Sequence, residues 1–84
     1  MTKNKLTITV AGSTGTGKSH VIKLIMDTLE SRGFDVDIVP TFDYSSKNNF
    51  LEQIGKTAHT CALESISENT EVILINEQTI KKSI

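Results

Sequence analysis

Apolar and polar residues alternate from Leu6 to Ala11: Leu6, Ile8 and Val10 are interleaved with Thr7 and Thr9. That period of two is the pattern of a strand. From Lys18 onward the period changes. Val21, Ile22, Leu24, Ile25 and Leu29 fall at the spacing of an amphipathic helix, and Gly33 sits where a left-handed C-terminal cap is expected. Residues 34–39 alternate again and stop at Pro40, so they read as a second strand. A polar stretch follows, containing Phe42, Asp43 and Tyr44. Asn49 with Glu52 three residues later then makes a capping pair for a second helix. One apolar face carries Phe50, Ile54, Ala58, Cys61, Ala62 and Ile66 along that helix, weakened at Gly55 by roughly 1 kcal/mol relative to alanine. Residues 71–75, Glu-Val-Ile-Leu-Ile, form a short apolar run of the kind buried on both faces of a sheet.

This βαβαβ pattern predicts an α/β fold, a minimal three-layer α/β/α sandwich around a three-stranded parallel sheet. The third strand is the most apolar, which places it in the middle and gives the order 2-3-1. The first strand then lies at an edge, where Thr7 and Thr9 suit a less buried position, and it offers unpaired backbone to a second copy or a protein partner. The 84 residues make one domain spanning 1–84, small enough that its stability should be marginal.

Composition narrows the functions. The net charge is −1 and the lysines are scattered, so nothing points to nucleic acid or to an anionic membrane. The apolar run before Gly12 is too short for a signal peptide or a membrane span. Cys61 is the only cysteine, which excludes an internal disulfide and fits a cytoplasmic protein. Richness in Lys, Asn, Ile, Thr and Ser fits an AT-rich coding sequence, such as that of a phage or plasmid.

The chemistry concentrates between the first strand and the first helix. Gly12, Ser13, Thr14, Gly15, Thr16, Gly17, Lys18 and Ser19 match G-x-x-x-x-G-K-[ST] at every fixed position. At average residue frequencies, a chain of this length matches by chance roughly once in a few hundred, so the signal is specific. The glycines let the backbone approach phosphate oxygens, and the amides at the helix N-terminus face the anion. In such a loop Lys18 would span the β- and γ-phosphates, while the Ser19 hydroxyl would ligate Mg²⁺. Against this stands a plainer role, a glycine-rich turn before a helix with a solvated lysine.

On these residues the chain resembles the P-loop NTPase superfamily, with a kinase-like arrangement in which the second strand arrives directly after the first helix. The resemblance implies binding of ATP or another nucleoside triphosphate with Mg²⁺. It also implies a residue at the end of the third strand that orients the metal, a position where Asn76 stands in place of the usual aspartate. Lys18 and Glu77 are the catalytic candidates, Glu77 as a base that positions water or else as a plain solvated glutamate after the strand. His20 follows Ser19 on the α-phosphate side, with a packed or exposed histidine as the plainer role, and Asp43 stands where small kinases put an acid near the acceptor, with a turn residue as its plainer role.

Departures from the pattern limit what the chain should do. Asn76 carries no charge. Arg32 is the only arginine, and fourteen residues of helix put it ~20 Å from the loop. An arginine at the γ-phosphate contributes 10³–10⁵ in rate in enzymes that use one. The expectation is therefore nucleotide binding with slow or absent turnover. Two alternatives stand beside it: a small phosphotransferase using Asp43, and a protein-binding module or inhibitor, phage-encoded in type, built on a reduced fold.

Overall fold

A computed structural model describes residues 4–13 and 15–79. Three helices carry the ordered architecture: α1 over Lys18–Glu30, α2 over Lys47–Gly55 and α3 over His59–Asn69. Helix α1 packs against both α2 and α3 and so lies between them.

Local chemistry accounts for the helix ends. The amide of Gly33 bonds to the Glu30 carbonyl and that of Phe34 to the Leu29 carbonyl, with Gly33 in the left-handed region at φ 89°. This is a Schellman stop, satisfying carbonyls that the helix leaves open. It turns the chain back, so that Val36 and Ile38 reach the core. Helix α2 starts one turn earlier than the Asn49 pair suggests: the Ser46 hydroxyl accepts the Asn49 amide at 3.1 Å. Asn49 in turn accepts the Ser45 amide at 3.2 Å, a reciprocal arrangement close to a capping box. The single second helix expected from the apolar face is two helices. The chain leaves helical geometry after Gly55, where the Thr57 hydroxyl bonds to the Ile54 carbonyl at 2.6 Å and closes the turn.

The expected sheet does not form. Among the described residues there is no strand, so the α/β/α sandwich, the order 2-3-1 and the P-loop α/β architecture are corrected to a three-helix arrangement with extended segments. Alternation specifies which side chains share a face of an extended backbone. It does not supply a partner with matched hydrogen-bonding register, and that partner is what makes a strand. Residues 34–39 use their alternation without pairing. Val36 and Ile38 turn toward Met26, Phe50 and Ile54, while Asp37 takes the Ile38 amide with its own carboxylate at 2.7 Å. The outer segments leave their apolar residues in water: Leu6 is 91% exposed, Leu74 85% and Ile75 96%. The radius of gyration, 14.5 Å, exceeds the ~12 Å of a compact chain this long, as the extended segments require.

The core is correspondingly small. Met26 and Phe50 are fully buried, Ile54 nearly so, with Ile22, Val36, Ile38, Tyr44 and Leu51 packed around them. A Lys47–Glu30 ion pair at 2.7 Å joins the end of α1 to the start of α2. At the other end of α1 the contact is closer still. A Cβ built on Gly17 would stand 2.3 Å from Cδ1 and 2.6 Å from Cγ1 of Ile66 in α3, and Gly17 also has φ 86°. Glycine is thus required there twice, for its backbone and for its missing side chain. Gly17→Ala should destabilise the fold by about 2 kcal/mol, through left-handed strain and overpacking against Ile66. Thermal denaturation of Gly17→Ala beside Gly17→Ala/Ile66→Ala measures it, and the double variant should regain the packing part of the loss.

Candidate functional site

The glycine-rich segment does what its composition asks at the backbone level. Gly15 and Gly17 are left-handed at φ 83° and 86°, and Gly17 is the N-cap of α1. Among the described residues no side chain caps α1. The His20 and Val21 amides bond to the Gly17 carbonyl at 3.1 and 3.2 Å, which leaves the amides of Lys18 and Ser19 as the donors that the helix itself does not satisfy. Within the loop, the Thr16 amide and hydroxyl both bond to the Ser13 carbonyl, at 3.3 and 2.7 Å. Lys18 curls back over the loop: its ammonium donates to the Gly12 carbonyl at 2.6 Å and lies 3.5 Å from that of Ser13. Its partners are carbonyls and not carboxylates, so its charge is not cancelled there. Thr14 lies outside the described residues.

Ser19 and His20, the next two residues, each reach a different part of the chain. The Ser19 and Tyr44 hydroxyl oxygens are 2.8 Å apart. Tyr44 is held by an edge-on contact with Phe50, ring centroids 4.9 Å apart at 81°, and by its backbone bonds to Thr41. The His20 and His59 rings stack at 5.0 Å, with their Nδ1 atoms 2.8 Å apart, so one ring donates and the other accepts. Burial lowers the His20 pKa from its ordinary value, and the charge of His59 lowers it further.

Two hollows flank the loop. A smaller one, of about 470 Å³, is lined by Lys18, Ser19, His20, Asp43, Tyr44 and Gln53 among others. Asp43 therefore reaches the same side as Lys18 and Ser19. A larger one, of about 1030 Å³, runs between residues 7–12 and residues 69–76, over Val21 and Ile25 of α1. Asn76 lines this second hollow along with Gly12, Thr16 and Lys18. Ser19 and Asn76 thus face different hollows, with Gly15 and Lys18 bordering both. Glu77 follows on the exposed extended segment. Arg32 sits in the turn beyond α1, at the far end of the helix from the loop.

Sequence reasoning missed two of these residues. Tyr44 and His59 stand 25 and 39 positions from their partners, and no local period announces contacts of that range. Among the described residues no group of three or more His, Cys, Asp or Glu side chains could hold a metal ion. Nor is any helix of the described residues long and apolar enough to cross a membrane. Comparison with family models, with curated proteins and with solved structures yields no match.

The histidine pair makes stability depend on pH. His20 is held neutral more strongly in the folded chain than in the unfolded one, so the unfolded state takes up its proton first as pH falls. The contribution is complete above the unfolded value near 6.5 and declines as pH drops through that value toward the lower folded one. Melting temperatures recorded from pH 8 to pH 5 should fall below about pH 6.5. In His20→Asn that part of the decline should be absent.

Proposed function

We propose that the loop over residues 12–19 binds the β- and γ-phosphates of a nucleoside triphosphate, ATP for preference, with Mg²⁺. The observation that carries this reading is the position of Lys18. Its ammonium lies over the loop carbonyls, beside the uncapped amides of α1 and a backbone made left-handed at Gly15 and Gly17. A cation near the unsatisfied first amides of a helix N-terminus is a site for polyanionic oxygen. The donor set suits Mg²⁺ as well. A serine hydroxyl with phosphate oxygens and water matches a hard ion that retains much of its hydration, and no cage of carboxylates is needed. Ser19 would hold the ion, and Lys18 would meet the phosphates on the side opened by its movement from the Gly12 carbonyl. His20 borders the same hollow.

Turnover by the isolated chain is expected to be slow or absent. Asn76 lacks charge, and Arg32 is a helix length away from the loop. The lone, exposed Cys61 supports a reducing, cytoplasmic setting.

A protein-binding role is favoured by a separate observation, the exposed extended segments. Residues 6–11 carry exposed apolar side chains on a backbone that pairs with no strand among the described residues. Such a backbone is a template for a strand from a partner or a second copy.

The nucleotide reading is checked by calorimetry with ATP, GTP and ADP. Lys18→Ala should weaken ATP by about 2 kcal/mol, roughly thirtyfold in Kd, with helicity unchanged. Equal affinity in the variant and the parent would remove the loop from consideration, and brisk phosphate release by the parent would overturn slow turnover. The partner reading is checked by sedimentation at micromolar concentration. Thr9→Pro removes one backbone donor and should dissociate any dimer formed through residues 6–11. A monomer unaffected by this change leaves the segment without that role.

A further inference from the structure

Among the described residues outside the loop, Tyr44 is the one whose side chain bonds to the proposed metal ligand. We propose that it is a positioning residue of the site. Its hydroxyl accepts the Ser19 proton and so turns a Ser19 lone pair toward Mg²⁺. This inference rests on the nucleotide reading above and adds to it how the cation is admitted.

The argument starts from the hydroxyl inventory. A serine hydroxyl has one proton and two lone pairs, and a metal ion takes a lone pair. The two oxygens are 2.8 Å apart, and either can donate. If Tyr44 donates, it occupies one of the two lone pairs, leaves the cation only the other, and leaves the Ser19 proton without this acceptor. If Ser19 donates, both lone pairs remain available and the rotamer is fixed. Mg²⁺ selects the second arrangement, because a bound cation draws electron density from the hydroxyl and makes it a stronger donor. The Ser19–Tyr44 bond and the metal then reinforce one another, as outer hydrogen bonds generally orient and tune metal ligands.

Tyr44 is well placed for that work. Its ring lies edge-on to Phe50, which is fully buried in the core. Its own carbonyl accepts the Thr41 amide at 2.8 Å, and its amide donates to the Thr41 hydroxyl at 3.1 Å. The acceptor oxygen is thus carried by the packed core and a closed turn, while Ser19 is carried by α1. Asp43, next in the chain, lines the same hollow, adding negative charge on the side from which a cation would enter.

The experiment measures ATP affinity in the full chain by calorimetry, once in EDTA and once across a MgCl₂ titration, for parent, Tyr44→Phe, Ser19→Ala and the double variant. Tyr44→Phe keeps the ring against Phe50 and removes only the hydroxyl. It should raise the Mg²⁺ concentration needed for half-maximal enhancement about tenfold and leave metal-free ATP affinity as in the parent. In the Ser19→Ala background the same change should have no further effect, since Tyr44 acts through Ser19. Tyr44 is also the only tyrosine, so ¹³C-labelled tyrosine gives a single ring signal set. That signal should shift when MgCl₂ is added to the ATP-bound parent and stay in place for Ser19→Ala. If the parent binds ATP with Mg²⁺ enhancement and Tyr44→Phe has the same or a lower Mg²⁺ requirement, the Tyr44 role is overturned and the nucleotide reading stands. If the parent binds no ATP, both fall together.

Discussion

The approach of α3 to the start of α1 is the constraint on which the arrangement depends. Ile66 lies where a side chain on Gly17 would be, so α3 can reach the loop only because residue 17 has none. That contact sits at the hinge between the glycine-rich segment and α1. Five residues before it, the loop begins at Gly12. Two and three residues after it, Ser19 and His20 reach Tyr44 and His59. Packing and polar contacts therefore meet in one turn of helix, and the loop is fastened through its immediate neighbours to α3 and to the segment that precedes α2.

The buried core explains why those fastenings matter. Met26, Phe50 and Ile54 are a modest apolar investment for 84 residues, and burial of a few large side chains contributes only several kcal/mol. Side-chain contacts on the α1 face therefore carry a larger share of the specificity than they would in a larger domain. A ligand bound at the loop would add its own free energy to the folded state by mass action. Folding and the proposed binding would be linked through α1, which carries both the core residue Met26 and the proposed ligands Lys18 and Ser19.

The sequence made α1 and its surroundings legible because their signals are local. A period near 3.6, a glycine at residue 33 and a glycine-rich segment ahead of Lys18 each act within a few residues. The Schellman stop and the left-handed Gly15 and Gly17 follow from those residues alone. What was misread is non-local. The alternation around Ile8 and Val36 and the continuous apolar run around Ile73 read as strands, but a strand needs a second backbone at the right distance and register, and the described residues provide none. The division between α2 and α3 was hidden by an apolar face that continues in register across Gly55. Of the candidate site, Lys18, Ser19 and Asp43 share a hollow, while Asn76 lines its neighbour. The reason is that the segment carrying Asn76 is not fixed beside the loop by a sheet.

The unpaired run at residues 72–75 has a consequence for behaviour in solution. Four consecutive apolar residues, Val-Ile-Leu-Ile, stand largely exposed on extended backbone, which is the composition that stacks into cross-β aggregates. Glu71 precedes the run, and Asn76 and Glu77 follow it. Like charges brought into register by stacking repel, and flanking charges of this kind act as gatekeepers against self-association. Glu71 and Glu77 thus guard the run against self-association. Acidification, or salt high enough to screen carboxylates, removes that protection while leaving the apolar run as sticky as before.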